Sequence, residues 1–164
     1  MELPDMVSTA RLRLPVIGPD EARAMLAGRR EPTWHPDYPR QDDLDAASMI
    51  TTPSSWAPRH IVRALDGLVV GSIGFFGPPA TATDGVIEAE VGYGLVPEAR
   101  GHGAATEALR GLLVETDRIG VRVRAAVAPD NAPSIRVLAK AGFTQLRGSD
   151  EDGNLVMVRA QRGS

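Results

Sequence analysis

Apolar and polar positions along the chain switch between two periods. "RLRLPVI", from Arg11, alternates and predicts a short strand, whereas "GPDEARAMLAG" has helical spacing, with Asp20 as its expected cap and Gly28 as its stop. The proline-rich "EPTWHPDYPRQ" reads as a loop and "DDLDAASMI" as a short helix. "RHIVRAL" and "LVVGSIGFF" flank Asp66-Gly67, a dipeptide that tolerates the positive φ of tight hairpin turns, so an antiparallel pair is expected. After the loop "GPPATATDG", the stretch "VIEAEVGYGLV" sets Ile87, Ala89, Val91 and Tyr93 against Glu88, Glu90, Gly92 and Gly94. That is the period of a half-buried strand, with two carboxylates sharing its second face. A helix is expected from about Ala104 to Ile119, with Ala105, Ala108, Leu109, Leu112 and Leu113 on one side, and Val121, Val123, Ala125 and Val127 then alternate as a strand. Pro133 suits the first turn of a last helix that stops at Gly142, and "FTQL" and "NLVMVRA" supply two closing strands across a polar turn.

Composition narrows the class. With 164 residues and 43% apolar content the chain can bury one substantial core, and a single domain over 1–164 is the expectation. A net charge of -3 with interspersed signs gives no general field for a polyanion, so no nucleic-acid partner is expected. The chain has no cysteine, which excludes disulfides, thiolate nucleophiles and cysteine metal sites. The start "MELPDMVSTARLRL" lacks a charged-then-apolar leader pattern, and no apolar run is long enough to span a bilayer. The expectation is a soluble cytoplasmic protein with no membrane partner. His35 and His60 are isolated, with no H-x-x-x-H spacing, so no metal is expected either.

The candidate chemistry begins at "YGLVPEARGHGAATEAL". A dinucleotide fingerprint needs a third glycine where Thr106 stands, and no Gly-Lys-Ser/Thr ending makes a P-loop. What remains is Arg100-x-x-Gly103-x-Ala105 opening a helix, where free backbone N–H groups and the helix dipole favour an anion. The same spacing also suits a tight strand-to-helix turn with structural glycines.

Two words in order decide between these. "VGYGLVPEARGHGAATEAL" resembles the R/Q-x-x-G-x-G/A loop and preceding strand of the GNAT superfamily of acetyl-CoA-dependent N-acetyltransferases, and "NAPSIRVLAKAGF" is similar to its Asn131 to Phe143 signature. "RLRLPVI" and "ALDGLVVGSIGFF" resemble the amino half of the branch that includes ribosomal-protein N-terminal acetyltransferases (Rim-type). The resemblance implies a mixed α/β (α+β) fold: a mostly antiparallel, twisted sheet of about seven strands with about four helices, splayed at its two middle strands. It implies acetyl-CoA as cosubstrate and an amine as acceptor, either a protein amino terminus or a small molecule such as a polyamine, amino acid or aminoglycoside. A homodimer is an assembly it allows, and a noncatalytic acyl-CoA-binding sensor is the alternative from another class.

By the same resemblance, pantetheine lies against the strand backbone at Leu95 and Val96, and the pyrophosphate rests on Arg100, Gly101, His102, Gly103, Ala104 and Ala105. Asn131 either contacts the pantetheine arm or caps the last helix. Arg136 and Lys140 meet a phosphate or are simply solvated. Acyl transfer also needs a neutral amine: a lysine side chain, with pKa about 10.4, is charged at neutral pH, whereas an α-amine, at about 7.7 to 8.0, is partly free. Glu90 is the first candidate to take the amine proton and Glu88 the second; each instead orients the ammonium or is a strand-face charge. Many family members place a tyrosine on the last helix to protonate the departing thiolate, but Leu138 occupies that position here. Ser134 matches a serine near the coenzyme sulfur and is either that donor or a helix cap. Trp34 and Tyr38 wall the acceptor cleft or plug a small core, and "FFGPP" from Phe75 borders the site.

Overall fold

The computed structural model describes residues 1–160; the last four residues of the expected domain, 161–164, lie outside the described residues. The chain runs β1 (Met6–Ser8), β2 (Leu12–Pro15), α1 (Pro19–Leu26), α2 (Gln41–Ala47), β3 (Arg59–Arg63), β4 (Val69–Phe75), β5 (Ala80–Thr81) and β6 (Ile87–Leu95). A short 3-10 turn (Pro97–Ala99) leads to α3 (Ala104–Arg118), followed by β7 (Arg122–Val127), α4 (Ala132–Lys140), β8 (Gln145–Ser149) and β9 (Leu155–Val158). The strands form one sheet in the order β1-β2-β3-β4-β6-β7-β9-β8, with β5 beside β6. Every pairing is antiparallel except β6 with β7. The mixed, mostly antiparallel architecture and four helices are those expected. The strands beyond seven are β1 and β5, three and two residues long, too short for periodicity to register and held by their neighbours in the sheet.

Burial follows the periodicity closely in α3, where Ala108, Leu109, Leu112 and Leu113 are all buried. This helix packs against β1, β2, β6 and β7. The expected cap of α1 shifts: Gly18 is the N-cap and makes no side-chain cap bond, so Asp20 lies inside the first turn, where its charge complements the positive end of the helix. The alternation of β6 is broken at its start. Ile87 is exposed, while Glu88 is only 3% exposed.

The parallel pair is short. Its register covers Glu88 with Arg122, Ala89 with Val123 and Glu90 with Arg124, and goes no further. Beyond Glu90, β6 continues against β4 to Leu95, while β7 continues against β9 to Val127. The two middle strands therefore part at Glu90. Among the described residues no helix is long and apolar enough to cross a membrane.

Candidate active site

Backbone direction at the gap is set by the β4 pairing. The Glu90 carbonyl accepts from Phe76 N–H and Val96 N–H donates to the Val70 carbonyl, so even-numbered residues of this stretch turn their backbone groups toward β4. By alternation, those of Val91, Tyr93 and Leu95 turn toward the side that β7 has left. Arg100 closes the far end, its Nε–H donating to the Leu95 carbonyl at 3.0 Å.

Gly101 and Gly103 have φ of 82° and 79°, the left-handed region that side chains rarely adopt. A Cβ at Gly101 would meet nothing within 4 Å and one at Gly103 would meet only Arg11 Nη2, at 3.4 Å, so the turn conformation is by itself enough to account for the glycines. Gly103 is the N-cap of α3 and offers no capping side chain, which leaves the first-turn N–H groups of the helix facing outward. The structural reading of these glycines and the anion-cradle reading are therefore compatible.

A cavity of about 550 Å³ opens onto this loop and is bounded by Leu95, Arg100, Gly101, Gly103, Ala104 and Ala105 on one side. Asn131, Ser134, Arg136 and Lys140, at the start and along α4, bound the other. A second cavity, of about 530 Å³, lies over the parting strands and includes Glu90, Phe75, Phe76 and Leu138 in its wall. Arg40, Asp42, Tyr93, Asn131 and Ser134 line both, so the two volumes meet at those residues. Arg40 is fixed there by Asp43, whose buried carboxylate accepts from Arg40 Nε and Nη2 and from the Ser72 hydroxyl. Its guanidinium lies over Gly94, where a Cβ would come within 2.2 Å of Nη2.

Ser134 is positioned twice. Its N–H donates to Asn131 Oδ1 at 3.2 Å, so Asn131 does cap α4 while still facing both cavities. Its Oγ lies 2.8 Å from the Tyr93 phenol, a residue whose apolar strand period gave no chemical signal in the sequence. Burial raises the Tyr93 pKa, and the Ser134 hydrogen bond opposes that in part.

The two carboxylates of β6 have separate fates. Glu88 Oε1 accepts from Arg122 Nε and Arg147 Nη2, both at 2.6 Å, and Oε2 accepts from Arg124 Nη1 at 2.7 Å and Arg147 Nη1 at 2.8 Å. Burial by itself raises its pKa, but the hydrogen bonds from Arg147, Arg122 and Arg124 more than reverse this and hold it at about 2. Glu88 lines neither cavity and is a structural ion. Glu90 stands at the apex of the gap, with one oxygen 3.1 Å from Arg124 Nε.

Three further expectations resolve by burial or direction. Val96 is fully buried with its N–H committed to β4, so it does not border the gap. His102 accepts from Arg11 through its carbonyl and lies on the opposite side of the loop, beside Leu12 and Arg63. Trp34 and Tyr38 belong to the core, stacked edge-on at 5.5 Å, and the Tyr38 hydroxyl meets His60 Nδ1 at 2.7 Å. They plug the core and do not wall the cleft. Among the described residues no group of three or more His, Cys, Asp or Glu is arranged to hold a metal.

Comparison with known proteins agrees with this architecture. A family model described as "Acetyltransferase (GNAT) domain" matches residues 11–144. No curated protein sequence matches the chain. An acetyltransferase from Agrobacterium tumefaciens superposes with a TM-score of 0.65 at 20% identity, covering 98% of this chain and 96% of its own. RimJ of Mycobacterium smegmatis, in complex with CoA-disulfide, superposes at 0.63 with 24% identity over 96% of this chain and 89% of its own. RimL, a ribosomal α-N-protein acetyltransferase in complex with coenzyme A, gives 0.64 at 15% identity over 93% and 96%. At these identities the likeness is one of fold.

Proposed function

This chain belongs to the GNAT acetyltransferase family and is an N-acetyltransferase, and from that premise we propose that it moves the acetyl group of acetyl-CoA directly onto a primary amine within one ternary complex. The observation that supports this most is the seam between the cavities. A thioester carried along the β6 backbone in the first would meet an amine entering from the second at Tyr93 and Ser134. The first-turn N–H groups of α3 and the cations Arg100, Arg136 and Lys140 fit a diphosphate and a further phosphate. The Leu95 N–H, aimed into the gap, polarises the thioester carbonyl. Glu90 takes the amine proton, directly or through water, and Ser134 hydrogen-bonds the departing sulfur.

The second cavity also bears on the acceptor. Among the described residues its wall carries Asp42, Asp45, Glu90, Asp150 and Asp152; its one cation, Arg40, is held by Asp43 with Asp42 at 3.8 Å, and Arg124, outside the wall, pairs with Glu90. We propose an acceptor with positive charge beyond the reacting amine: a basic peptide amino terminus or a polyamine. A turnover screen with mass detection, across amino-terminal peptides and small amines, tests both statements. Cationic acceptors should give the lowest KM, and that KM should rise with salt as the carboxylates are screened. Product from none of the amines, or a preference for neutral ones, overturns the respective statement.

The cradle is tested by Ala105→Pro. Ala105 is the second residue of α3, and α4 already opens with Ala132-Pro133 in the equivalent positions, so the backbone accepts proline there while losing one N–H. Coenzyme A affinity should fall by about 10-fold or more, the loss of a hydrogen bond to a charged group, with the thermal melt nearly unchanged. Calorimetry showing parental affinity in the folded variant removes the assignment.

A further inference from the structure

The departing sulfur needs a proton, and a lone serine is a weak source of one. A serine hydroxyl is far less acidic than a thiol, whereas a phenol, ordinarily at about 10, lies close to a thiol at about 8.5; burial raises Tyr93 above that ordinary value, and its hydrogen bond to Ser134 opposes the rise. The last helix carries no phenol, because Leu138 is a buried leucine. A phenol nevertheless arrives from the opposite wall. Tyr93 projects from β6, beyond the point where β7 parts from it, and its Oη lies 2.8 Å from Ser134 Oγ and 3.4 Å from the Ser134 carbonyl oxygen. Both residues line both cavities, so their hydrogen bond spans the seam where donor and acceptor meet.

We infer that Tyr93 is the proton source behind Ser134, an inference that rests on the acetyltransferase function proposed above. The amine lone pair forms the N–C bond to the acetyl carbon, and the C–S bond breaks with its electron pair remaining on sulfur. Sulfur takes the Ser134 hydroxyl proton as Oγ takes the phenol proton of Tyr93; the phenolate is reprotonated from solvent. The surplus proton on the amine nitrogen leaves through Glu90, so one proton is lost and one gained per turnover. Tyr93 touches Ser134 and not the reacting atoms, and is a positioning residue in this scheme.

The test combines kinetics with a readout that needs no turnover. Tyr93→Phe keeps the ring and removes only the hydroxyl. It should lower kcat by roughly 10-fold to 10² with the acetyl-CoA KM nearly unchanged, because a proton used only in the transition state is lost. Ser134→Ala combined with Tyr93→Phe should be no slower than the slower single variant, since both cut one relay. The chain has two tyrosines, Tyr38 and Tyr93, so fluorotyrosine labelling yields two fluorine resonances that Tyr93→Phe assigns. Added coenzyme A should move the Tyr93 resonance, and should move it less in Ser134→Ala, while the core residue Tyr38 stays in place. A folded Tyr93→Phe protein with parental kcat, multiplicative losses in the double variant, or a Tyr93 resonance unmoved by saturating coenzyme A overturns the relay alone. A parent protein that neither binds coenzyme A nor acetylates any amine overturns the acetyltransferase reading, and the relay with it.

Discussion

Glu88→Ala is expected to cost about 3–5 kcal/mol of folding stability, the range for breaking a buried ion pair by removing one partner. Its carboxylate is the point on which Arg122, Arg124 and Arg147 converge. Without it Arg122 keeps Asp84 at 2.7 Å and Arg124 keeps Glu90 at 3.1 Å, but Arg147 loses the acceptor of both its hydrogen bonds to Glu88. Three guanidiniums, two from β7 and one from β8, would then share the space the carboxylate had occupied. Urea denaturation of parent and variant measures the difference, and a loss below about 1 kcal/mol would show the pairs to be as weak as exposed ones. The pH dependence has a definite sign. The folded-state pKa of Glu88, about 2, lies below its ordinary value of 4.5, so its contribution is fully present above about 4.5 and disappears as pH falls toward 2. Parent and Glu88→Ala should therefore converge in stability at the acid end of that window.

Glu90→Gln carries the largest kinetic effect. If Glu90 accepts the amine proton, kcat should fall by roughly 10² to 10⁴ with little change in coenzyme A affinity. The deficit should shrink at high pH, where more of the amine is already neutral. Glutamine preserves the volume and a hydrogen bond to Arg124 but cannot hold a proton, so the apex of the gap stays intact. A rise in acceptor KM at constant kcat would instead make Glu90 an orienting group for the ammonium. The contrast with Glu88 is useful in itself. Two carboxylates two residues apart on one strand should divide cleanly, one failing in a melt and the other in turnover.

Much of this division was invisible in the sequence. Period two placed Glu88 and Glu90 on one face of one strand, and nothing local separated them. What separates them is Arg147, 59 residues further along, which reaches Glu88 from β8. Likewise the sequence contained both Tyr93 and Ser134, but 41 residues apart, with the tyrosine counted among apolar strand positions. Their contact exists because parting strands leave room for a side chain from β6 to meet the first turn of α4. Trp34 and Tyr38 sit in a loop rich in proline, where composition does not distinguish a cleft wall from a plug; the packing of Trp34 on Tyr38 and of Tyr38 on His60 made them core.

By itself the sequence determined the features whose causes are local: the two periods that set strands and α3, the Asp66-Gly67 reversal between β3 and β4, the Ala-Pro opening of α4, and the Gly101 and Gly103 turn that leaves helix N–H groups free. Each arises from the φ/ψ limits or the spacing of a few neighbouring residues. Tertiary structure alone decided which carboxylate is buried, which hydroxyl faces which, and that β6 and β7 part at Glu90. Those depend on ion pairs and hydrogen bonds between elements far apart in the chain, whose strength is set by burial and by distances of a few ångström that no local pattern encodes.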